Sequence, residues 1–400
     1  MSNRAKERIP HLVISIALIQ ILQPLVIDPY LPATSVLSKD FSTTNTQIQL
    51  VLAVVTFGFF VGQMITGPIS DSIGRRRPLF VSLGLYVLTC LAVALAPTLE
   101  FFFVARTLQG LTAASMSVIS VAMLRDLNSG VALIKASSKI MAIGSIIWFI
   151  GPIFGTVMLT YFNWRIMSLV IASVAVMVFL VVWKFMPETK PIQNRNDFIF
   201  KGMKPRFIHV LKDRSFVGFL VIQMAINVML FGYLGVIPML FDSAYGLGQN
   251  VGYFISINSF GAYLGIQLGS FLSTRFSAQK MLYIFFGVAV IDGFYLMQIS
   301  GKQPSVWFVE AGFFVLTLMF GATYTPIQAL SLQSHGEEAG TAAALLGSIG
   351  SLASAIAGPY LTSLDRTTSF GIGLNAFGTM SIAIVIYHFV VRPKNLTLTK

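Results

Sequence analysis

The sequence predicts an all-α membrane protein of twelve transmembrane helices in two groups of six. Three observations predict it. Hydrophobic residues fill 55% of the 400 positions and charged residues only 10%, against roughly 25% charged in soluble domains. Mean hydropathy is +0.79, and apolar runs long enough to cross a bilayer, about 20 residues each, follow one another with short gaps. The basic residues cluster in alternate gaps. The single cysteine, Cys90, rules out an intramolecular disulfide framework and any multi-Cys metal site. The four histidines (His11, His209, His335, His388) are too scattered for a metal motif.

Charges, prolines and glycines bound each run. Span 1 (10–32) follows a basic tail of Arg4, Lys6 and Arg8 that imitates a secretory signal. The run is too long for a signal core and no small-residue cleavage site follows, so an uncleaved first span is expected. Spans 2 to 6 occupy 47–70, 78–97, 101–123, 136–160 and 164–186. Residues 187–213 then break the rhythm with Lys190, Arg195, Lys201, Lys204 and Arg206. Spans 7 to 12 follow at 214–240, 249–273, 280–299, 304–330, 338–363 and 367–391. The expected organisation is one bundle over 1–186, a cytoplasmic basic linker over 187–213 and a second bundle over 214–400.

With the N-terminus in the cytoplasm, 22 of the 27 Lys/Arg fall on the cytoplasmic side; Lys39, Arg165, Lys302 and Arg366 fall outside, and Arg106 lies within a span. That asymmetry sets orientation. It also explains the net charge of +12 as topology and removes the argument for nucleic acid. Asn395-Leu396-Thr397 fits a glycosylation pattern but falls on the cytoplasmic side and is discounted.

The halves echo each other. Gly151-Pro152 in span 5 corresponds to Gly358-Pro359 in span 11, and Gly67 at the end of span 2 to Gly269 at the end of span 8. Parallel repeats of six spans place a central cavity and site between halves that rock.

The chemistry-bearing residues begin after span 2, at Gly67-Pro-Ile-Ser-Asp71-Ser-Ile-Gly74-Arg75-Arg76-Arg77. Glycines permit sharp turns and close approach; Asp71 can pair with arginine. Taken alone, the stretch also fits an ordinary positive-inside turn. It resembles the signature loop of the major facilitator superfamily. Arg106-Thr-Leu-Gln109-Gly110 resembles that superfamily's span-4 arginine motif, and Gly151-Pro152-Ile-Phe-Gly155-Thr156 its antiporter motif, with Thr156 where a second glycine is usual and Ile147 in place of an upstream glycine. Asp28-Pro-Tyr-Leu-Pro32 and Leu124-Arg125-Asp126-Leu127 are similar to the bicyclomycin-resistance branch of the drug:proton antiporters. The resemblance covers the whole chain. It implies a latch of Gly67, Asp71, Gly74, Arg75 and Asp126 that holds span 2 against span 11, where Ala343, Gly347, Ser351 and Ala355 form a small-residue stripe. It also implies helix bending at Gly151, Pro152 and Gly155.

Charges at membrane depth are functional candidates by default. Asp28 and Arg106 both fall within roughly 6–9 Å of the outer interface at 1.5 Å per residue, so they can meet. Burial favours a neutral carboxyl and a nearby cation favours a charged one; an acid under both influences can be switched. Asp28 also reads as a helix-end carboxylate in periplasmic water, and Arg106 as a fixed structural counter-ion. In related antiporters both positions are implicated in coupling. Glu310, near the outer start of span 10, is a third proton-coupling candidate or an interfacial partner of Lys302. Asp292 in span 9 reads as a structural pair.

Polar and aromatic residues outline a substrate pocket: Gln20 and Gln23 (span 1), Gln109 (span 4), Trp148 (span 5), Gln223, Asn227 and Phe231 (span 7), Asn258, Tyr263 and Gln267 (span 8), and Tyr324 and Gln328 (span 10). Hydrogen bonding between helices is the bland alternative for each polar one. No Gly-Lys-Ser/Thr phosphate loop and no Ser/His/Asp or two-metal arrangement is present. An ATP-driven pump and an enzyme are therefore disfavoured, and no cofactor is expected. The expected partners are a small-molecule substrate, protons and the lipid bilayer, with the chain a monomer in the bacterial inner membrane. The reading is proton-coupled export of small, largely apolar compounds. A dedicated exporter of a metabolite or siderophore, a proton-independent facilitator and a non-transporting membrane sensor remain alternatives.

Overall fold

The computed structural model describes residues 3–127, 130–190, 203–302, 304–333, 335, 339–364 and 368–392. The middle of the basic linker (191–202), Arg366 and Asn395-Leu396-Thr397 lie outside them. The regular structure among the described residues is all helical, as the sequence predicts: α1 (Asn3–Leu22), α2 (Thr34–Asp40), α3 (Asn45–Ile73), α4 (Arg76–Ala94), α5 (Leu99–Leu127), α6 (Gly130–Tyr161), α7 (Trp164–Phe185), α8 (Met203–Lys212), α9 (Arg214–Tyr245), α10 (Val251–Arg275), α11 (Ala278–Ile299), α12 (Val306–Leu332), α13 (Ala339–Leu364) and α14 (Phe370–Ile386), which a π turn extends to Val391.

Ten segments among the described residues are long and apolar enough to cross a membrane, and Ile146–Tyr161 of α6 is a shorter apolar stretch. α6 as a whole runs 32 residues, Gly130–Tyr161, long enough to cross a bilayer. α10 is 25 residues long, and Ser256, Asn258, Ser259 and Gln267 interrupt its apolar run. Apolar side chains face outward at helical spacing, as they do on a lipid-facing wall: Val81, Leu85 and Leu88 on α4, and Leu169, Val176, Leu180 and Trp183 on α7.

Two boundaries differ from the sequence reading in ways that matter. Span 1 is one apolar run, yet α1 stops at Leu22 and two 3-10 turns follow, Pro24–Val26 and Asp28–Tyr30. Each turn carries its proline in the first two positions, where the missing N–H is not needed. The stretch Gly67–Arg77 is not a loop. α3 runs through Pro68 to Ile73, and only Gly74 and Arg75 separate it from α4. Gly74 has φ +94°, a conformation open to glycine and strained for other residues. Polar caps start two later helices, with Asn163 accepting from the Ile166 N–H at 2.9 Å and Asp213 from the Ser215 N–H at 2.8 Å.

The chain forms two compact units, 1–33 with 54–203 and 34–53 with 204–400. In the first, α4 packs on α5 and α7, and Phe102 meets Trp164 edge to face at 5.4 Å. α3 and α5 approach closely: a Cβ on Gly58 or Gly110 would strike the Thr107 or Val55 carbonyl. The second unit repeats the device, with Gly265 and Gly269 of α10 against the Leu318 and Ala322 carbonyls of α12. Small residues are the usual means of close helix contact in lipid, where no hydrophobic force drives helices together.

Candidate functional site

The break after α1 frees backbone carbonyls that a continuous helix would bond internally. One is used at once. Arg106 of α5 is fully buried; its Nη2 donates to the Val26 carbonyl and its Nη1 to Gln109 Oε1 at 2.6 Å. Its guanidinium lies 4.0 Å from the centroid of the Tyr30 ring. A desolvated cation–π contact is worth about 2 kcal/mol. Tyr30 Oη in turn bonds Ser168 Oγ of α7 at 2.7 Å. Gln109 Nε2 donates to Cys90 Sγ at 3.1 Å, and Tyr86 Oη to the Leu22 carbonyl at 3.0 Å. Gln109 is fully buried within this network.

Asp28 sits between Val26 and Tyr30, the two residues that Arg106 holds. The sequence suggested that Asp28 and Arg106 could meet, but no ion pair joins them. The 3-10 turn directs the Val26 carbonyl and the Tyr30 ring to α5 and the Asp28 side chain to α6. There a Cβ on Gly151 would lie 2.8 Å from Asp28 Cβ, and one on Gly155 would strike the Pro29 carbonyl. Gly151 and Gly155 are one turn apart and share a face, so the Gly-Pro-x-x-Gly stretch of α6 forms a bed for the Asp28-Pro29 turn. Asp28 Oδ2 is buried without a hydrogen-bond partner, and so is Arg106 Nε. Buried polar atoms are nearly always satisfied, so two orphans, one on the Asp28 turn and one on the arginine that clasps that turn, mark a site.

A second assembly surrounds Gly74. Arg75 Nη2 lies 2.7 Å from Asp71 Oδ1 and Nε 3.1 Å from Asp126 Oδ2, while Nη1 donates to Ser70 Oγ at 2.7 Å. These three charges are brought together as the sequence suggested. Three participants were missed. Lys190 Nζ lies 2.6 Å from Asp71 Oδ1, and Thr189 Oγ1 donates to Asp126 Oδ2 at 2.9 Å. Glu188 accepts from the backbone N–H groups of Arg75 (2.8 Å), Arg76 (3.1 Å), Thr189 (3.0 Å) and Lys190 (3.0 Å). A carboxylate from the segment after α7 therefore caps the N-terminus of α4, a placement worth about 1 kcal/mol. The available signal was an acid in a stretch otherwise rich in Lys and Arg.

The proposed pocket residues fall into separate small groups. In the first unit, Gln20 accepts from Ser117 Oγ at 2.8 Å; Gln23 and Trp148 are half-buried. In the second, Gln223 and Asn227 face α13, and the Asn227 amide lies against the Gly350 Cα, where a Cβ would collide with it. Asn258 Nδ2 donates to Glu310 Oε2 at 3.2 Å, so Glu310 pairs with α10 and not with Lys302. Gln267 donates to Tyr263 Oη at 3.2 Å at an exposed position. Phe231, Tyr324 and Gln328 are half-buried. Asp292 is buried with one carboxyl oxygen unpartnered, in place of the structural pair expected of it.

Residues 16–358 match the family described as the Major Facilitator Superfamily. The chain is 30% identical over 389 residues to the uncharacterized MFS-type transporter YdgK of Bacillus subtilis (strain 168), covering 96% of this chain and 95% of that one. It is 24% identical to the bicyclomycin resistance protein homolog of Haemophilus influenzae, covering 94% of this chain and 95% of that one. Among solved structures, the D-xylose-proton symporter superposes with a TM-score of 0.77 at 15% identity, over 96% of this chain and 97% of that chain, which shows a common fold. The chain is a multi-pass membrane protein with an all-α transporter fold, and it belongs to the Major Facilitator Superfamily.

Proposed function

We propose that the protein exports small, largely apolar compounds across the bacterial inner membrane in exchange for protons, by alternating access of bundles 1–186 and 214–400. The observation that carries this reading is the unpartnered, buried Asp28 carboxyl oxygen on a turn clasped by Arg106. A buried carboxylate without a partner is costly, and a neutral one far less so. Loading Asp28 with a proton suits the turn as it stands. Releasing that proton creates a charge, and a shift of the turn toward Arg106 or water relieves it. A proton is thereby exchanged for a movement of α1 and α6, as coupling requires. The name of the Haemophilus influenzae relative supports a drug as substrate. Both termini lie in the cytoplasm by the distribution of basic residues, and the chain acts as a monomer.

The charge cluster at Gly74 suits a conformational latch. Its pairs are partly exposed, and such pairs contribute about 0.2–1 kcal/mol each, so substrate and proton can open and close them.

Purified protein in liposomes loaded with a pH-sensitive dye tests the reading. Proton movement that depends on added substrate, and disappears in Asp28→Asn at normal protein level, is the expected result. Full proton-driven export by Asp28→Asn sinks the coupling role. Substrate movement without proton flux makes the protein a facilitator. Uptake confined to one polar metabolite would replace the multidrug reading by a dedicated exporter.

A further inference from the structure

The second unit contains a buried polar cluster that the Asp28 site does not use. Glu310 of α12, Asn258 of α10 and Tyr233 of α9 are 3%, 1% and 1% exposed. Asn258 Nδ2 donates to Glu310 Oε2 at 3.2 Å. Tyr233 lies within electrostatic reach of Glu310 and beside Asn258. One oxygen on each side chain has no partner: Glu310 Oε1, Asn258 Oδ1 and Tyr233 Oη. The walls are aromatic, with Phe313 edge-on to Tyr233 at 5.4 Å and Phe241 stacked on Phe313 at 5.8 Å. Three helices thus bring Glu310 Oε1, Asn258 Oδ1 and Tyr233 Oη to one closed place.

The groups facing Glu310 decide what it binds. α9 offers Tyr233 and α10 offers Asn258. α11 carries Asp292 and Tyr295, whose Oη donates to the Phe308 carbonyl at 3.1 Å. α13 offers only the exposed Tyr360, and Lys302, in the loop before α12, is exposed and makes no ion pair with Glu310 among the described residues. Among the described residues no cation compensates an ionised Glu310, and an uncompensated buried carboxylate is expensive. Three side-chain oxygens fall short of the six to eight that calcium takes, and the cluster lacks the His or Cys that zinc favours. Side chains this enclosed leave no room for an organic ammonium. A proton needs no room: on Glu310 it removes the charge and supplies the O–H that an unsatisfied acceptor lacks.

We propose that Glu310, Asn258 and Tyr233 form a second proton-binding site, carried by the 204–400 unit and independent of Asp28. Asn258 and Tyr233 are its positioning residues. For the exchange proposed above it adds a second proton acceptor; that consequence rests on the exchange reading, whereas the site itself does not.

Infrared pH titration of the purified full chain in lipid nanodiscs, without substrate, tests it through the C=O stretch of protonated carboxyl groups. Glu310→Gln is expected to remove one titrating component of that band, in the native chain and in Asp28→Asn alike. Tyr233→Phe and Asn258→Ala are expected to retain the component but move its frequency, and its titration midpoint by on the order of one pH unit. An unchanged band in Glu310→Gln overturns the proposal. So does a component indifferent to both Tyr233→Phe and Asn258→Ala, and these two variants decide the matter if Glu310→Gln does not fold. Substrate transport without proton flux in liposomes, alongside an intact Glu310 component, would refute the exchange reading and leave this site standing.

Discussion

Arg106 contributes to the fold and to the site through the same three contacts, to Val26, Gln109 and Tyr30. Lysine cannot reproduce them, because an ammonium lacks the planar fork and stacks poorly. Arg106→Lys is expected to destabilise the protein by about 2 kcal/mol, seen as a lower melting temperature in detergent, and to reduce proton-coupled transport. A melting temperature equal to that of the native chain would show that the clasp contributes nothing. Gly151 makes the complementary case. Its missing Cβ leaves space for Asp28, so Gly151→Ala forces the turn to move, at about 1–3 kcal/mol by overpacking. The expected outcome in liposomes is loss of coupled transport by a chain that still inserts and purifies. Full transport by that variant would show that the bed on α6 is not needed.

Glu188 links elements that no local pattern joins. Glu188→Ala removes an acceptor shared by four backbone N–H groups at the start of α4 and after α7. Faster tryptic cleavage at Arg75, Arg76 and Arg77 in the detergent-solubilised protein is expected, with a loss of about 1–2 kcal/mol in stability. Unchanged cleavage would show that the cap is not restraining this turn. The α10–α12 contact has a sharper contrast. Gly265→Leu drives a side chain into the Leu318 carbonyl, whereas Gly287→Ala on α11 meets nothing within 4 Å. The first is expected to abolish accumulation of folded protein, and the second to leave its yield and melting temperature unchanged.

At the scale of the whole molecule, the apolar runs located nearly every helix, because the cost of exposing backbone in lipid leaves helices as almost the only option for such runs. Hydropathy could not see that α1 ends at Leu22, since the residues of the two following turns are as apolar as a helix; only Pro24 and Pro29 announced the break. That break also explains why Asp28 and Arg106, expected at one depth, do not pair although Arg106 contacts Val26 and Tyr30 on either side of Asp28. Depth follows from residue counts, but direction depends on the turn. Arg75 with Asp71 was implied by the resemblance of their stretch to the family's signature loop, whereas Glu188 lies 113 residues from Arg75 and only tertiary structure brings it there. The glycines of α6 were legible as a motif, and their task, lodging the Asp28-Pro29 turn, required coordinates.

Cys90 is the only thiol in the chain, and it is fully enclosed beside Gln109. The native protein therefore carries a kinetic clock at the heart of the Arg106 network. When local opening is fast and rare, a buried group reacts at its intrinsic rate multiplied by the open fraction. Alkylation of Cys90 by an excess of membrane-permeant reagent then measures how often this region breathes, without an engineered label or a background from other cysteines. If protonation loosens the clasp around the Asp28 turn, the alkylation rate corrected for thiolate fraction will change with pH; a corrected rate that stays flat would show that the network remains shut while the turn moves.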